Sequence, residues 1–373
     1  MNKAFPEIKK NFGFGCMRLP MQGDSVDRSL FNEMVDTFIE SGFNYFDTAH
    51  GYVNGLSELA VKDCLTSRYP RDKYLLADKL SSFHFEKQKD IRPLFFSELE
   101  ACGVGYFDFF LLHSQNAVNY KKYKRERAYE TVLELKAEGK IKHVGLSFHD
   151  KAELLEEILT DYPQMEFVQI QFNYVDVDDA SIESGKCYEI CRKFNKPVIV
   201  MEPVKGGALV NLPKEALNIL SSLNNGSAAS YALRYCAGFD GVFMTLSGMS
   251  DMAQLRDNIR TMKDFKPLDE REIAAIEEVR KIYKMQDDIK CTSCRYCVDG
   301  CPSKILIPDL FGCYNSKKHF DKVWNANFYY HNVYTAQNGK ASDCIGCGKC
   351  EQTCPQHLKI RELLKNVAEE FES

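Results

Sequence analysis

The sequence predicts an α/β fold: a closed (β/α)8 barrel followed by a small, cysteine-rich α+β domain. Two observations carry that prediction. Through residue 285, short continuous apolar runs alternate with amphipathic stretches. That is the pattern of parallel strands buried on both faces, with helices between them. Beyond Met285 the alternation stops, and eight of the 15 cysteines fall in two copies of one spacing. The break sets domains at 1–285 and 286–373, with Met285–Lys290 as the linker.

The strand candidates, in order, are Asn44–Asp47, Lys73–Asp78, Phe107–Leu112, Lys142–Ser147, Phe167–Gln171, Pro197–Met201 and Val242–Leu246. A weaker eighth is expected around Phe265, ahead of a helix over Asp269–Tyr283. Helical periodicity covers Ser29–Ser41, Arg127–Glu138, Ala152–Leu159 and Ile182–Phe194. Gly42 and Gly139 stand where helices commonly end. Eight units argue for closure into a barrel. An open doubly wound sheet would normally carry a G-x-G-x-x-G turn after its first strand, and none follows Asp47.

With 373 residues, 45% of them hydrophobic, the chain can bury a large core plus a small second one. A net charge of −5 gives no argument for nucleic acid or an anionic membrane as a partner. No apolar stretch approaches the ~20 residues of a spanning helix. Residues 1–10 lack the apolar run of a signal peptide, so a cytoplasmic chain is expected. Cys187 and Cys191, four apart on one predicted helix, read as packing.

The two cysteine runs are Cys291-x2-Cys294-x2-Cys297-x3-Cys301-Pro302 and Cys344-x2-Cys347-x2-Cys350-x3-Cys354-Pro355. A cuboidal cluster needs four thiolates converging from different directions. Three close cysteines can wrap one cluster while the fourth reaches the other, as in two-cluster ferredoxins. Zinc sites usually use two well-separated C-x2-C pairs, and cytosolic chains rarely keep disulfides. Two [4Fe–4S] clusters are therefore expected, and the C-terminal region resembles bacterial two-cluster ferredoxins. Residues 302–343, between the runs, hold Trp324, Phe328, Tyr329, Tyr330 and Tyr334, the makings of a local core or of a contact with the barrel.

Active sites of such barrels lie at the C-terminal ends of the strands. There the sequence places Asp47 with Tyr52, then Lys79, His113, Ser147 with His149, and Gln169. A lysine ending a buried strand is costly unless paired, and Asp47 is the natural partner of Lys79. Asp47-Thr-Ala-His-Gly-Tyr52 resembles the D-T-A-x-x-Y signature of the aldo-keto reductases. Lys79 and Leu-Leu-His113 match that family's other tetrad positions. The resemblance covers roughly residues 10–280, and the whole chain resembles the family's iron–sulfur-containing branch.

The resemblance implies an oxidoreductase acting on a carbonyl or related small organic substrate. Tyr52 would be the general acid. A neighbouring Lys79 ammonium favours the tyrosinate and lowers a phenol pKa that is otherwise about 10. Asp47 would hold Lys79, and His113 would orient the substrate oxygen.

The resemblance also implies a nicotinamide amide near Ser147, His149 and Gln169, with Cys16 and Met17 lining the ribose. Gly248 to Asn258, including Gln254, would clamp the adenosine phosphate. Three features depart from the family pattern. Met201 stands where an aromatic ring usually stacks on the nicotinamide. Gly248 and Gln254 stand where basic residues often hold a 2′-phosphate, with Arg256 nearby. Phe148-His149 replaces the usual amide-holding asparagine. Glu202 and Lys205 follow strand six as substrate contacts or as a pair with each other.

Hydride transfer moves two electrons and iron–sulfur clusters move one. NAD(P)H and a flavin both stand as candidate cofactors, and a ferredoxin- or flavodoxin-type carrier as a candidate partner. Two other readings stay open: an NAD(P)H-dependent carbonyl reductase with structural or redox-sensing clusters, and a non-catalytic electron-transfer protein.

Overall fold

The computed structural model describes residues 4–179, 182–285, 288–319, 326–327 and 329–373. They form two compact units, Met1–Val204 with Leu212–Arg280, and Lys205–Asn211 with Lys281–Ser373. The segment Lys205–Asn211 thus belongs to the cysteine-rich unit, although it leaves the chain in the middle of the barrel sequence.

The first unit is a closed eight-stranded parallel barrel. Its strands are β1 (Phe12–Gly15), β4 (Tyr45–Asp47), β5 (Leu75–Leu80), β6 (Phe107–Gln115), β7 (Ile141–Phe148), β8 (Phe167–Gln171), β9 (Val198–Met201) and β10 (Val242–Gly248). A small antiparallel hairpin, β2 (Met21–Gln22) and β3 (Ser25–Val26), precedes the first helix, α1 (Arg28–Glu40). Two further helices position the site, α2 (Leu56–Val61) and α3 (Gln88–Cys102). β1 closes the ring by pairing with both β10 and β4.

The eighth strand is therefore Phe12–Gly15 and not a segment around Phe265. Residues 264–268 are irregular, and Phe265 only packs its side chain against the core. β1 reads Phe-Gly-Phe-Gly, a weak strand pattern because glycine lacks β propensity. The glycine has a steric cause. A Cβ on Gly13 would lie 2.7 Å from Leu246 and 2.9 Å from Tyr45.

Inside the barrel, Phe5 packs edge-on against Phe109 at 5.2 Å and tilted against Phe243 at 4.6 Å. It belongs to a cluster with Ala77, Leu111, Phe167 and Ile199 that fills the barrel interior. Gly42 and Gly139 adopt positive φ (90° and 75°) past helix ends, where a Cβ would be strained. Cys187 and Cys191 are buried.

The second unit is mainly helical, with Ile307–His319, Lys349–Thr353 and Ile360–Phe371. Among the described residues its β pairing outside named strands is the parallel bridge Ile305–Gly339. Tyr330 stacks on Phe371 at 4.5 Å and 6°, and its hydroxyl donates to Glu372 Oε1 at 2.5 Å. This ties the segment between the cysteine runs to the last helix. Trp324 and Phe328 lie outside the described residues. No helix among the described residues is long and apolar enough to cross a membrane.

Candidate active site and cysteine cavities

Strand alternation dictates the first site. In β5, Asp78 and Lys79 point to opposite faces, and Lys79 is only 1% exposed. Its ammonium is satisfied by groups from β4 and the loop after it. Lys79 Nζ donates to Asp47 Oδ1 at 2.6 Å and to the Thr48 carbonyl at 2.7 Å. It also lies 4.7 Å from the Tyr52 ring centroid. Burial raises the Asp47 carboxyl above its ordinary range, and the adjacent ammonium opposes that rise.

His113, from β6, meets the Tyr52 ring edge-on at 5.9 Å and 78°. Burial, then the charges of Lys79, His149 and His84, hold its imidazole well below the ordinary range, so it is neutral at pH 7. Its Nδ1 hydrogen-bonds the Ser81 hydroxyl at 2.6 Å. The Tyr123 hydroxyl donates to the His113 carbonyl at 3.0 Å and to that of Leu80 at 2.5 Å. Ser81 and Tyr123 escaped the sequence reading, because a serine after a strand and an aromatic on a helix carry no signal of their own.

Four side chains from separate segments thus converge: an ammonium, a carboxylate, a phenol and a neutral imidazole. Such a set can stabilise a phenolate and donate a proton or hydrogen bond to a carbonyl oxygen.

The remaining strand-end residues are distributed around the same barrel. Ser147 and Gln169 are register partners on β7 and β8. Ser147 Oγ accepts from Ser114 N at 2.7 Å. Gln169 Oε1 is buried with no hydrogen-bond partner, and an amide oxygen so placed suits a donor from a bound ligand. The His149 backbone N–H donates to the Gln115 carbonyl at 2.9 Å. Met201 ends β9, half-buried. Cys16 is fully buried and burial drives its thiol pKa far up, so it packs rather than reacts. Ser57 Oγ donates to its carbonyl at 3.0 Å. Met17 is half-buried beside it.

The helix Met252–Lys263 follows β10. Its N-cap is Asp251, whose carboxylate accepts from Gln254 N at 2.8 Å. Gln254 Oε1 in turn accepts from Ser250 N at 2.9 Å. A carboxylate already occupies the positive end of this helix, which opposes a second anion there. Asn258 Nδ2 donates to Ser247 Oγ at 3.2 Å. Arg256 pairs with Glu33 of α1 at 3.5 Å. The cationic side chain packed on Gly248 is instead Arg18, whose stem atoms lie 3.2–3.4 Å from where a Cβ would stand. The sequence reading had not singled out Arg18. Lys205 falls in the second unit, where Nζ donates to Gln356 Oε1 at 2.7 Å.

In that second unit the eight motif cysteines sort into two cavities. Cys291, Cys294, Cys297 and Cys354 line one. Cys301, Cys344, Cys347 and Cys350 line the other. Each fourth cysteine crosses to the opposite set, and Ile307 borders both cavities. The loop conformations match pairwise. Ser293 (φ 55°) and Arg295 (φ 67°) flank Cys294 as Gly346 (72°) and Gly348 (75°) flank Cys347. These left-handed residues curl the backbone around the sulfurs, and Ser293 N donates to Cys291 Sγ at 3.4 Å. Burial, with neighbouring Cys294, Cys291 and Cys354, pushes the Cys297 thiol far up. The donor set fits thiolate-bound iron–sulfur cubanes.

Comparison with known proteins agrees with both units. Residues 11–281 match the aldo/keto reductase family. Residues 290–358 match a 4Fe-4S dicluster domain. The uncharacterized oxidoreductase C215.11c of Schizosaccharomyces pombe is 25% identical over 264 residues, covering 68% of this chain and 81% of that protein. The NADH-specific methylglyoxal reductase of Escherichia coli is 27% identical over 210 residues, covering 51% and 61%. The holo form of aldo-keto reductase AKR11C1 from Bacillus halodurans is similar in structure, with a TM-score of 0.60 at 25% identity over 72% of this chain and 91% of that one. An aldo-keto reductase from Klebsiella pneumoniae in complex with NADPH shares the fold, with a TM-score of 0.60 at 18% identity over 76% and 93%. The barrel match alone spans most of the chain: this oxidoreductase belongs to the aldo/keto reductase family and carries a 4Fe-4S dicluster domain C-terminal to the barrel in sequence.

Proposed function

We propose that the protein reduces a carbonyl or related small organic substrate with Tyr52 as proton donor, and that two [4Fe–4S] clusters exchange electrons with an external carrier. In this reading residues 1–285 are the catalytic domain and 286–373 the electron-transfer domain. The observation that carries it is the Lys79 ammonium, held by Asp47 Oδ1 and the Thr48 carbonyl beside the Tyr52 ring.

Carbonyl reduction adds two electrons and a proton equivalent to carbon, and a second proton to oxygen. Tyr52 gives the second proton. The ammonium stabilises the phenolate left behind, and Asp47 holds that ammonium in place. Neutral His113, anchored through Ser81, offers one N–H donor to the substrate oxygen. The cysteines of each cavity would hold one cluster, which supplies electrons singly. A bound flavin would convert single electrons to pairs.

A second reading, direct reduction by a nicotinamide, is favoured by the buried, unpartnered Gln169 Oε1 beside Ser147. A reduced nicotinamide supplies hydride, and Gln169, Ser147 and His149 would orient its amide. The Asp251 cap favours NADH over NADPH in that case. The NADH-specific relative points the same way.

The test is Tyr52→Phe in anaerobically purified protein. Turnover of a panel of aldehydes and ketones should fall by ~10²-fold or more, as for loss of a positioned acid, with cluster absorbance unchanged. Equal turnover would remove Tyr52 from the chemistry.

A further inference from the structure

We propose that His50, Glu58 and Glu98 bind a divalent first-row metal ion of the zinc class, with Asp78 and Cys102 backing the site. All five residues belong to the first unit.

The sequence builds it by putting an acid in an apolar stripe. The buried face of α3 runs Ile91, Leu94, Phe95, Glu98, Leu99, Cys102. That is one helix face at 3.6 residues per turn, so Glu98 is carried into the core and is 0% exposed. Glu58 enters from α2 at 2% exposure, and Asp78 from β5 at 0%. His50 comes from the loop after β4, and its Nδ1 lies 2.9 Å from Glu58 Oε2.

One ligand atom each from His50, Glu58 and Glu98 lies within 4.8 Å of the others. A second such triad is Glu58, Asp78 and Cys102, which shares Glu58. Cys102 Sγ donates to Asp78 Oδ2 at 3.4 Å.

Glu98 decides between a cation and mere crowding. Both of its carboxyl oxygens are buried with no hydrogen-bond partner, as is Glu58 Oε1. Buried carboxyls are nearly always bonded or coordinated. Protonation alone leaves Glu98 with an unpaired O–H and an unpaired carbonyl, whereas a cation satisfies both charge and lone pairs. An imidazole with two carboxylates suits zinc or a similar ion. The His50 side chain is 32% exposed, which gives a path to solvent.

The test uses the full-length chain, purified anaerobically with its clusters, incubated with Zn2+, desalted and analysed for zinc and iron together. Wild type should keep roughly one zinc per chain beyond its iron. Glu98→Gln, which keeps shape, and His50→Gln, at a half-exposed position, should each lose that zinc at unchanged iron. His50→Gln covers the case in which Glu98→Gln fails to fold. Wild type without zinc overturns the site. So does equal zinc in the folded variants, which would place the metal in the cysteine motifs.

Discussion

Replacing Lys79 by Met removes the ammonium and leaves Asp47 behind. Asp47 is 3% exposed. Its Oδ2 has no hydrogen-bond partner, and Oδ1 is bonded to Lys79. Breaking one side of such a buried pair costs ~3–5 kcal/mol. At about 2 °C per kcal/mol for a domain of this size, the barrel transition should fall by roughly 6–10 °C. The loss should depend on pH. Burial already raises the Asp47 pKa, and Lys79 opposes that rise, so the variant raises it further. A carboxyl whose folded pKa exceeds its unfolded one binds more protons folded than unfolded, so stability falls as pH rises through that window. The variant should therefore recover on acidification and be weakest at neutral pH. Adding Asp47→Asn should restore part of the neutral-pH stability by removing the stranded charge. Scanning calorimetry at several pH values measures all three. A pH-independent loss, or one under ~1 kcal/mol, would refute the electrostatic account.

Other outcomes follow from the same geometry. If each cavity holds one cluster, Cys354→Ser should damage the one lined by Cys291, Cys294 and Cys297, and Cys301→Ser the other; anaerobic iron analysis with EPR distinguishes this crossed pattern from loss within each motif. Wild-type iron should stand near eight atoms per chain, and one or two atoms with zinc present would falsify the cluster assignment. Ser293→Gly relieves a left-handed residue at φ 55° and should stabilise the cysteine-rich unit by up to ~1 kcal/mol, read from its melting transition; an equal loss would show that the hydroxyl matters more than the backbone. His113, held low by burial and then by Lys79, makes stability fall as pH drops below its unfolded value of 6.5, because the unfolded chain then binds the extra proton. His113→Asn should flatten that limb, and an unchanged limb would assign it elsewhere.

Seven strands were legible because each is a short, largely apolar run that the barrel buries for most of its length. β1 was not, since Gly13 is demanded by Leu246 and Tyr45 across the barrel, and that demand erases the strand signal. Phe265 mimicked a strand by being a single apolar side chain near the core. Asp47, Lys79 and His113 were legible as polar groups at the ends of apolar strands, and Tyr52 through its place in the resemblance's D-T-A-x-x-Y pattern. Arg18, Ser81 and Glu98 were not, because an isolated polar residue on a helix or loop looks solvated until the fold carries it inward. The place of Lys205–Asn211 within the cysteine-rich unit was equally hidden, since nothing local in Lys-Gly-Gly marks a partner as remote as Thr292 or Gln356.

The most direct measurement is stopped-flow reoxidation of the reduced, anaerobic chain by a panel of small aldehydes and ketones, in wild type and Tyr52→Phe. Cluster absorbance should recover with a reactive carbonyl in wild type, and ~10²-fold more slowly in the variant. Recovery at the same rate in both proteins, or none with any carbonyl, would contradict the coupling of iron–sulfur electrons to a phenol-assisted reduction.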